Sequence, residues 1–205
     1  LKFTREVILG NIIKNYLENM HFSKKKYNDE LSAKSLEVLI ERFDYSKRFF
    51  LLEDVEELRK HKWQLDDALV QGDLSIVNIA QKLFMTRLLI IEPFVLKTLS
   101  AAMTFSENDL IETDPKKISF AKDMAQLKDY WGKYLKYEVL NRYWMLKEDP
   151  LDKEKDKDKK KKKKELPMND TQLLTKAKDE VKKSYEKYFA RIKKDEYRER
   201  LDKFY

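Results

Sequence analysis

The chain has 205 residues, of which 40% are charged and 42% hydrophobic, with three Gly, four Pro and no Cys. That length supports a domain with a sizeable core, or one and a half domains, and the lack of Cys excludes a disulfide framework, a thiol nucleophile and a Cys-ligated metal. The net charge of +7 is local: residues 152–164 hold nine Lys and four acids, residues 165–205 hold eleven basic and nine acidic residues, and residues 1–151 balance at twenty-four of each.

A nucleic-acid surface usually carries its basic residues on a structured face, with aromatics to stack on bases. Here the excess sits in one low-complexity run without aromatics, so no nucleic acid is expected as a partner. Scarce Gly and Pro argue against a strand-rich fold, because the turns between strands recruit both. Long segments of helical period predict an all-α fold: an irregular multi-helix bundle, with a long C-terminal helix after a Lys-rich linker. The division expected is a helical body over 1–151, a charged flexible linker over 152–168 and the long helix over 169–205.

In chain order, Phe3, Val7, Ile8, Ile12, Ile13, Tyr16, Leu17 and Met20 predict a first helix from Phe3 to Met20. Thr4 is a candidate start, and Gly10 costs that helix up to about 1 kcal/mol relative to Ala. Leu31, Val38, Leu39 and Phe43, with Leu36 and Ile40, predict a helix from Asp29 to Phe43 capped by Asp29. Asp44 begins a tight corner, and Phe49, Phe50, Leu51 and Leu52 form an apolar plug leading into Glu53 and Asp54. Leu52 to Val70 reads as one helix, with Leu52, Val55, Leu58, Trp63, Leu65 and Leu69 inward. Gly72 is a C-terminal cap, and Asp73 an N-cap for a helix from Leu74 to Ser100 that Pro93 should kink or restart. Met103 to Ser119 is irregular. An aromatic-rich helix follows from Lys122 to Lys147, ended by Glu148-Asp149-Pro150. Asn169-Asp170 caps a last helix from Thr171 towards Tyr205, about 50 Å long if complete.

Sites of chemistry are sparse. Ser23-Lys24 and Ser46-Lys47 are adjacencies whose side chains diverge, and His21 and His61 form no His-x-x-x-His pair. Asp66-Asp67 and Glu56-Glu57 read as a solvated face, and isolated Gly residues exclude a glycine-rich phosphate loop. No catalytic, cofactor-binding or metal-ligating residue is assigned. Trp131, Tyr134, Leu135 and Trp144 read as core. Tyr185, Tyr188 and Phe189, with Ile192 and Tyr197, either pack back on the body or bind a partner, and the first three are the candidate partner-binding residues. No apolar run approaches the roughly twenty residues of a membrane span.

His21-Phe22-Ser23, Leu31-Ser32, Ile40-Glu41-Arg42-Phe43-Asp44 and Phe49-Phe50-Leu51-Leu52-Glu53-Asp54 together resemble the N-terminal helical domain of bacterial tail-specific (C-terminal-processing) serine proteases. Gln64-Leu65-Asp66-Asp67-Ala68-Leu69, Gly72-Asp73-Leu74 and Leu127 to Leu140 around Trp131 extend the resemblance. Phe43 stands where the pattern has Leu, Tyr45 where it has Pro, and the Lys run has no counterpart in it. The resemblance implies a periplasmic setting and a non-catalytic scaffold, preceding a PDZ domain and a protease domain with a Ser/Lys pair. Its partners would be those two domains, a protein substrate, an adaptor lipoprotein or a second copy. The alternatives are a basic nucleic-acid-binding module and a stand-alone helical adaptor. The chain begins at Leu1 without a signal peptide, as a piece of a longer protein would.

Replacing residues 152–164 with a Gly/Ser linker of equal length is expected to leave the thermal midpoint nearly unchanged, since exposed like charges contribute no packing. It should also remove most non-specific affinity for nucleic acid, as filter binding at low and high salt would report.

Overall fold

The computed structural model describes residues 4–22, 26, 28–105, 109–152 and 169–194, with the side chains of 149–152 left aside. The regular structure of these residues is helical: α1 (Arg5–Asn15), a π-helical turn (Tyr16–Met20), α2 (Asp29–Asp44), α3 (Leu52–Arg59), α4 (Leu65–Gln71), α5 (Ser75–Ser100), α6 (Met124–Asp152) and α7 (Asp170–Lys194). No strand occurs among them, only an isolated parallel bridge between Leu51 and Ala121. The all-α expectation holds. The Lys run, Ser23-Lys24 and Tyr197 lie outside the described residues, as does any extension of α7 beyond Lys194. The described part of α7 is about 37 Å long at the usual helical rise.

Contacts divide the chain into two compact units. One takes the described residues up to Ile90 together with Glu112–Leu127, and the other takes Ile91–Ile111 and Lys128–Lys194. The boundary falls within α5 and α6, so each unit is described by itself.

In the first unit, Thr4 starts α1 as predicted, its hydroxyl accepting from the Val7 amide. α1 packs on α4, α4 on α2, and α2 on α3. Gly10 makes the first of these contacts possible. A Cβ there would lie 1.9 Å from the Leu69 carbonyl oxygen, far inside contact distance. The residue that reads as a local helix cost is therefore the point at which two helices meet. α2 is capped by Asn28, whose side chain accepts from the Leu31 amide, rather than by Asp29, which is the first helical residue. Both suit a helix start, and the donor geometry chose the residue in extended conformation. Ser32, Leu36, Leu39, Ile40 and Asp44 are its buried residues, while Val38 faces solvent.

The predicted helix from Leu52 to Val70 is two helices. Successive i→i+3 bonds at Lys60, His61, Lys62 and Gln64 turn the chain between them, leaving Trp63 exposed under the Lys62 ammonium. α4 then begins where the buried Ser32 hydroxyl on α2 accepts the Leu65 amide at 2.9 Å. Gly72 ends α4 with φ +69°, the left-handed cap expected of it, and α4 and α5 meet at 111°. Asp73 accepts from the Ser75 amide and hydroxyl at the start of α5. An Arg59–Glu37 pair with two 2.8 Å bonds ties α3 to α2, and those bonds hold the Glu37 carboxyl below its ordinary value.

α5 runs unbroken through Pro93, so of the kink and the restart expected there the restart does not occur. In the second unit, α6 likewise continues past the predicted stop at Pro150 to Asp152. A Pro in the last turn of a helix forgoes one backbone bond, and the carbonyls beyond it need no helical partner. Asn169 caps α7 reciprocally with Gln172, each side chain accepting the other's amide. Contacts from Trp131 to Tyr185, Arg142 to Glu180 and Lys147 to Asp170 run in opposite order along the two helices, so α6 and α7 are antiparallel. Glu92–Lys193, and Lys178 donating to the Ala101 carbonyl, place the end of α5 antiparallel to α7 as well.

Phe49 and Phe50 are 2% and 0% exposed, which makes the corner a core joint. Phe50→Ala should cost about 3–5 kcal/mol, whereas an exposed pair would tolerate Ala within about 0.5 kcal/mol. Urea melts of Phe49→Ala and Phe50→Ala measure the difference.

Candidate functional site

The corner between α2 and α3 concentrates most of the buried polar groups of the first unit. Asp44, the last residue of α2, accepts three backbone amides: Arg48 on one carboxylate oxygen, Phe49 and Phe50 on the other, each at 2.8 Å. Burial pushes its carboxyl above the ordinary value, and the three amide donors pull it back. The Asp44 carbonyl also accepts from Lys47, which takes φ +52°, a left-handed conformation uncommon for a residue with a Cβ. The Lys47 ammonium spans that bend to the carbonyls of Pro115 and Ile118. With the chain so turned, Phe43, Phe49 and Phe50 gather around Phe84 of α5, with ring centroids 4.8–5.9 Å from it.

The far side of the corner is held by a second carboxylate. Asp54, in the first turn of α3, reaches back to the Leu51 amide at 2.8 Å. Arg87 of α5 grips both Asp54 oxygens at 2.8 and 2.9 Å and adds a bond to Glu53 at 2.6 Å. The Leu52 amide donates to the Ala121 carbonyl beside the Leu51–Ala121 bridge. Arg87 is thereby held even more firmly in its charged form, chiefly by the Asp54 bond.

Ser46 and Lys47 are neighbours, yet the Ser46 hydroxyl accepts from the Arg48 guanidinium and the Lys47 ammonium is taken by two carbonyls. His61 pairs with Gln64, and His21 lies against the rings of Tyr16 and Phe22. Glu57 forms a surface pair with Lys60, and no group of three metal-ligating side chains occurs among the described residues. No single helix among them is long and apolar enough to cross a membrane.

The residues singled out as partner-binding lie on α7 in the second unit. Phe189 is fully buried, while Tyr185 and Tyr188 are half-buried. Tyr185 meets the buried Trp131 edge-on at 5.8 Å and touches both Tyr188 and Phe189. Trp131 and Leu135 are core, as expected, but Trp144 is exposed. Its aromatic character grouped it with them, but thirteen residues at 3.6 per turn put it about 140° round the helix from Trp131, off the buried face.

What these units define is a helical module. The chain belongs to the tail-specific protease N-terminal domain family, whose model matches residues 13–203. It is 29% identical over 126 residues to the tail-specific protease of Haemophilus influenzae, a stretch that covers 61% of this chain and 18% of that protein. The chain thus corresponds to well under two thirds of that relative's length.

Asp44→Asn tests the corner with almost no change of shape. An amide offers one acceptor oxygen and turns an NH₂ towards backbone donors, so at least one buried N–H loses its partner. A loss of about 1–3 kcal/mol is expected in urea melts, and a larger one for Asp44→Ala, which strands all three donors.

Proposed function

We propose that this chain is the non-catalytic N-terminal scaffold of a periplasmic tail-specific serine endopeptidase. In that reading cleavage belongs to a Ser/Lys pair elsewhere in the polypeptide, and substrate ends are gathered by a PDZ domain. The observation that carries the proposal is the state of Ser46 and Lys47. This Ser-Lys adjacency has both side chains committed to holding the corner, within a chain that belongs to an N-terminal protease domain family.

The scaffold would set the placement of the PDZ and protease domains, and its surface would meet substrate or an adaptor lipoprotein. On α7, Tyr185 and Tyr188 would offer their outward edges to such a partner. Phe189 would support them from behind, since it is buried. Amphipathic aromatic rings on a charged helix suit this use, because they give large contact area at small entropic cost.

The purified chain should leave an unfolded protein substrate intact over hours, as gel electrophoresis would report. Turnover that disappears on Ser46→Ala would overturn the scaffold reading. Tyr188→Ala in the full-length protease should lower cleavage of protein substrates more than that of a short peptide.

A further inference from the structure

The face of α1 turned away from Gly10 is unlike the rest of this chain. Its exposed residues are Arg5, Ile8, Asn11, Ile12, Asn15, Tyr16, Asn19 and Met20. In a protein with 40% charged residues, that face carries one charge, Arg5, at its end. Ile8, Ile12, Tyr16 and Met20 are 48%, 58%, 50% and 71% exposed, and Phe22, just beyond, is 94% exposed. Steps of four residues make them a stripe, but an α-helix of 3.6 residues per turn would carry each step further round the axis. The π-helical turn opposes that drift. It covers Tyr16–Met20, closes with the His21 amide on the Tyr16 carbonyl at 2.7 Å, and its wider turn brings a four-residue step back towards the stripe instead of carrying it further round. Such turns are rare and concentrate at functional sites.

We infer that this stripe is an interface on which a second copy of the chain docks, α1 against α1, antiparallel about a two-fold axis between Ile12 and Tyr16. In that arrangement Ile8 of one copy faces Met20 of the other, and Ile12 faces Tyr16. A two-fold contact requires a surface compatible with itself, and this one is. Its flanking polar groups are amides: Asn15 beside the axis accepts from the Asn19 side chain at 2.7 Å and keeps its NH₂ to donate to the second lone pair of its counterpart's oxygen. The two Arg5 side chains fall at opposite ends, where they do not repel. Scaled by ordinary side-chain surfaces, the five apolar residues expose roughly 700 Å² per copy, which bounds what they can bury and is of the order of the about 800 Å² per partner of a standard interface. Gly10 contributes from behind, since its contact with Leu69 fixes α1 on α4 and leaves the stripe outward.

The inference is independent of the scaffold reading and is tested on the chain itself. Sedimentation velocity across a range of concentrations should show a reversible monomer–dimer equilibrium. Ile12→Lys brings two ammonium groups into the contact and should weaken association at least about 100-fold. Its circular dichroism should stay unchanged, and its thermal midpoint should match that of the unsubstituted chain at concentrations low enough for both to be monomeric, because position 12 is exposed in the single copy. The chain has no Cys, so Asn15→Cys supplies a single thiol beside the axis. A short bis-maleimide should cross-link it into dimers much faster than Val38→Cys on the exposed side of α2. A chain that stays monomeric at every concentration would overturn the inference and assign the stripe to another part of the protease polypeptide. A dimer that Ile12→Lys leaves intact, or cross-linking no faster at position 15 than at 38, would place the contact elsewhere and overturn it equally.

Discussion

Three backbone amides converge on the carboxylate of Asp44, and the geometry of the first unit follows from that convergence. A chain leaving a helix and reversing within six residues exposes amides that no helix or strand can satisfy, and burying them unpaired would be costly. One carboxylate satisfies three at once. Charge-assisted bonds to backbone amides are about twice as strong as neutral ones and offset part of the cost of burying the anion, whose carboxyl still lies above its ordinary value. Once those amides are held, Phe49 and Phe50 have nowhere to go but the cluster around Phe84, and Leu51 is delivered to its bridge with Ala121.

Asp54 repeats the device on the other side of the plug, with Arg87 in place of two of the amides. Replacing a buried ion pair by apolar residues is often neutral for stability, so its presence is better understood as a means of choosing one arrangement over others. The bidentate fork admits a narrow range of orientations. It sets the register of α3 against α5, while Lys47 ties the bend to the segment around Pro115 and Ile118. Two anions and two cations therefore define a joint whose volume is filled by four phenylalanines.

That economy bears on function. The hydroxyl, ammonium and carboxylate groups that a search for catalysis would select at the corner are already used to hold it. Among the described residues, the α1 stripe in one unit is exposed, and Tyr185 and Tyr188 in the other are half-buried. Contiguous exposed apolar surface of this kind is what the two proposals above rest on.

Much of this was legible in the residues. Helical period with few Gly and Pro specified an all-α chain, the Phe49-Phe50 plug specified a buried joint, and Gly72 announced a left-handed cap, because each of these depends on neighbours close in sequence. The family was legible too, since its pattern is made of such packing residues. Tertiary partners decided the rest. The break between α3 and α4 depends on a Ser32 hydroxyl thirty-three residues from the amide it accepts. The value of Gly10 depends on the carbonyl of Leu69, and the exposure of Val38 and Trp144 on which helix faces found a neighbour. Pro93 sits inside a continuous helix although it removes one of that helix's backbone bonds. Sequence by itself determined what each segment prefers, through local sterics and period. Only the tertiary structure decided which surfaces meet and which stay open, because burial is a property of pairs of segments and is written in neither one alone.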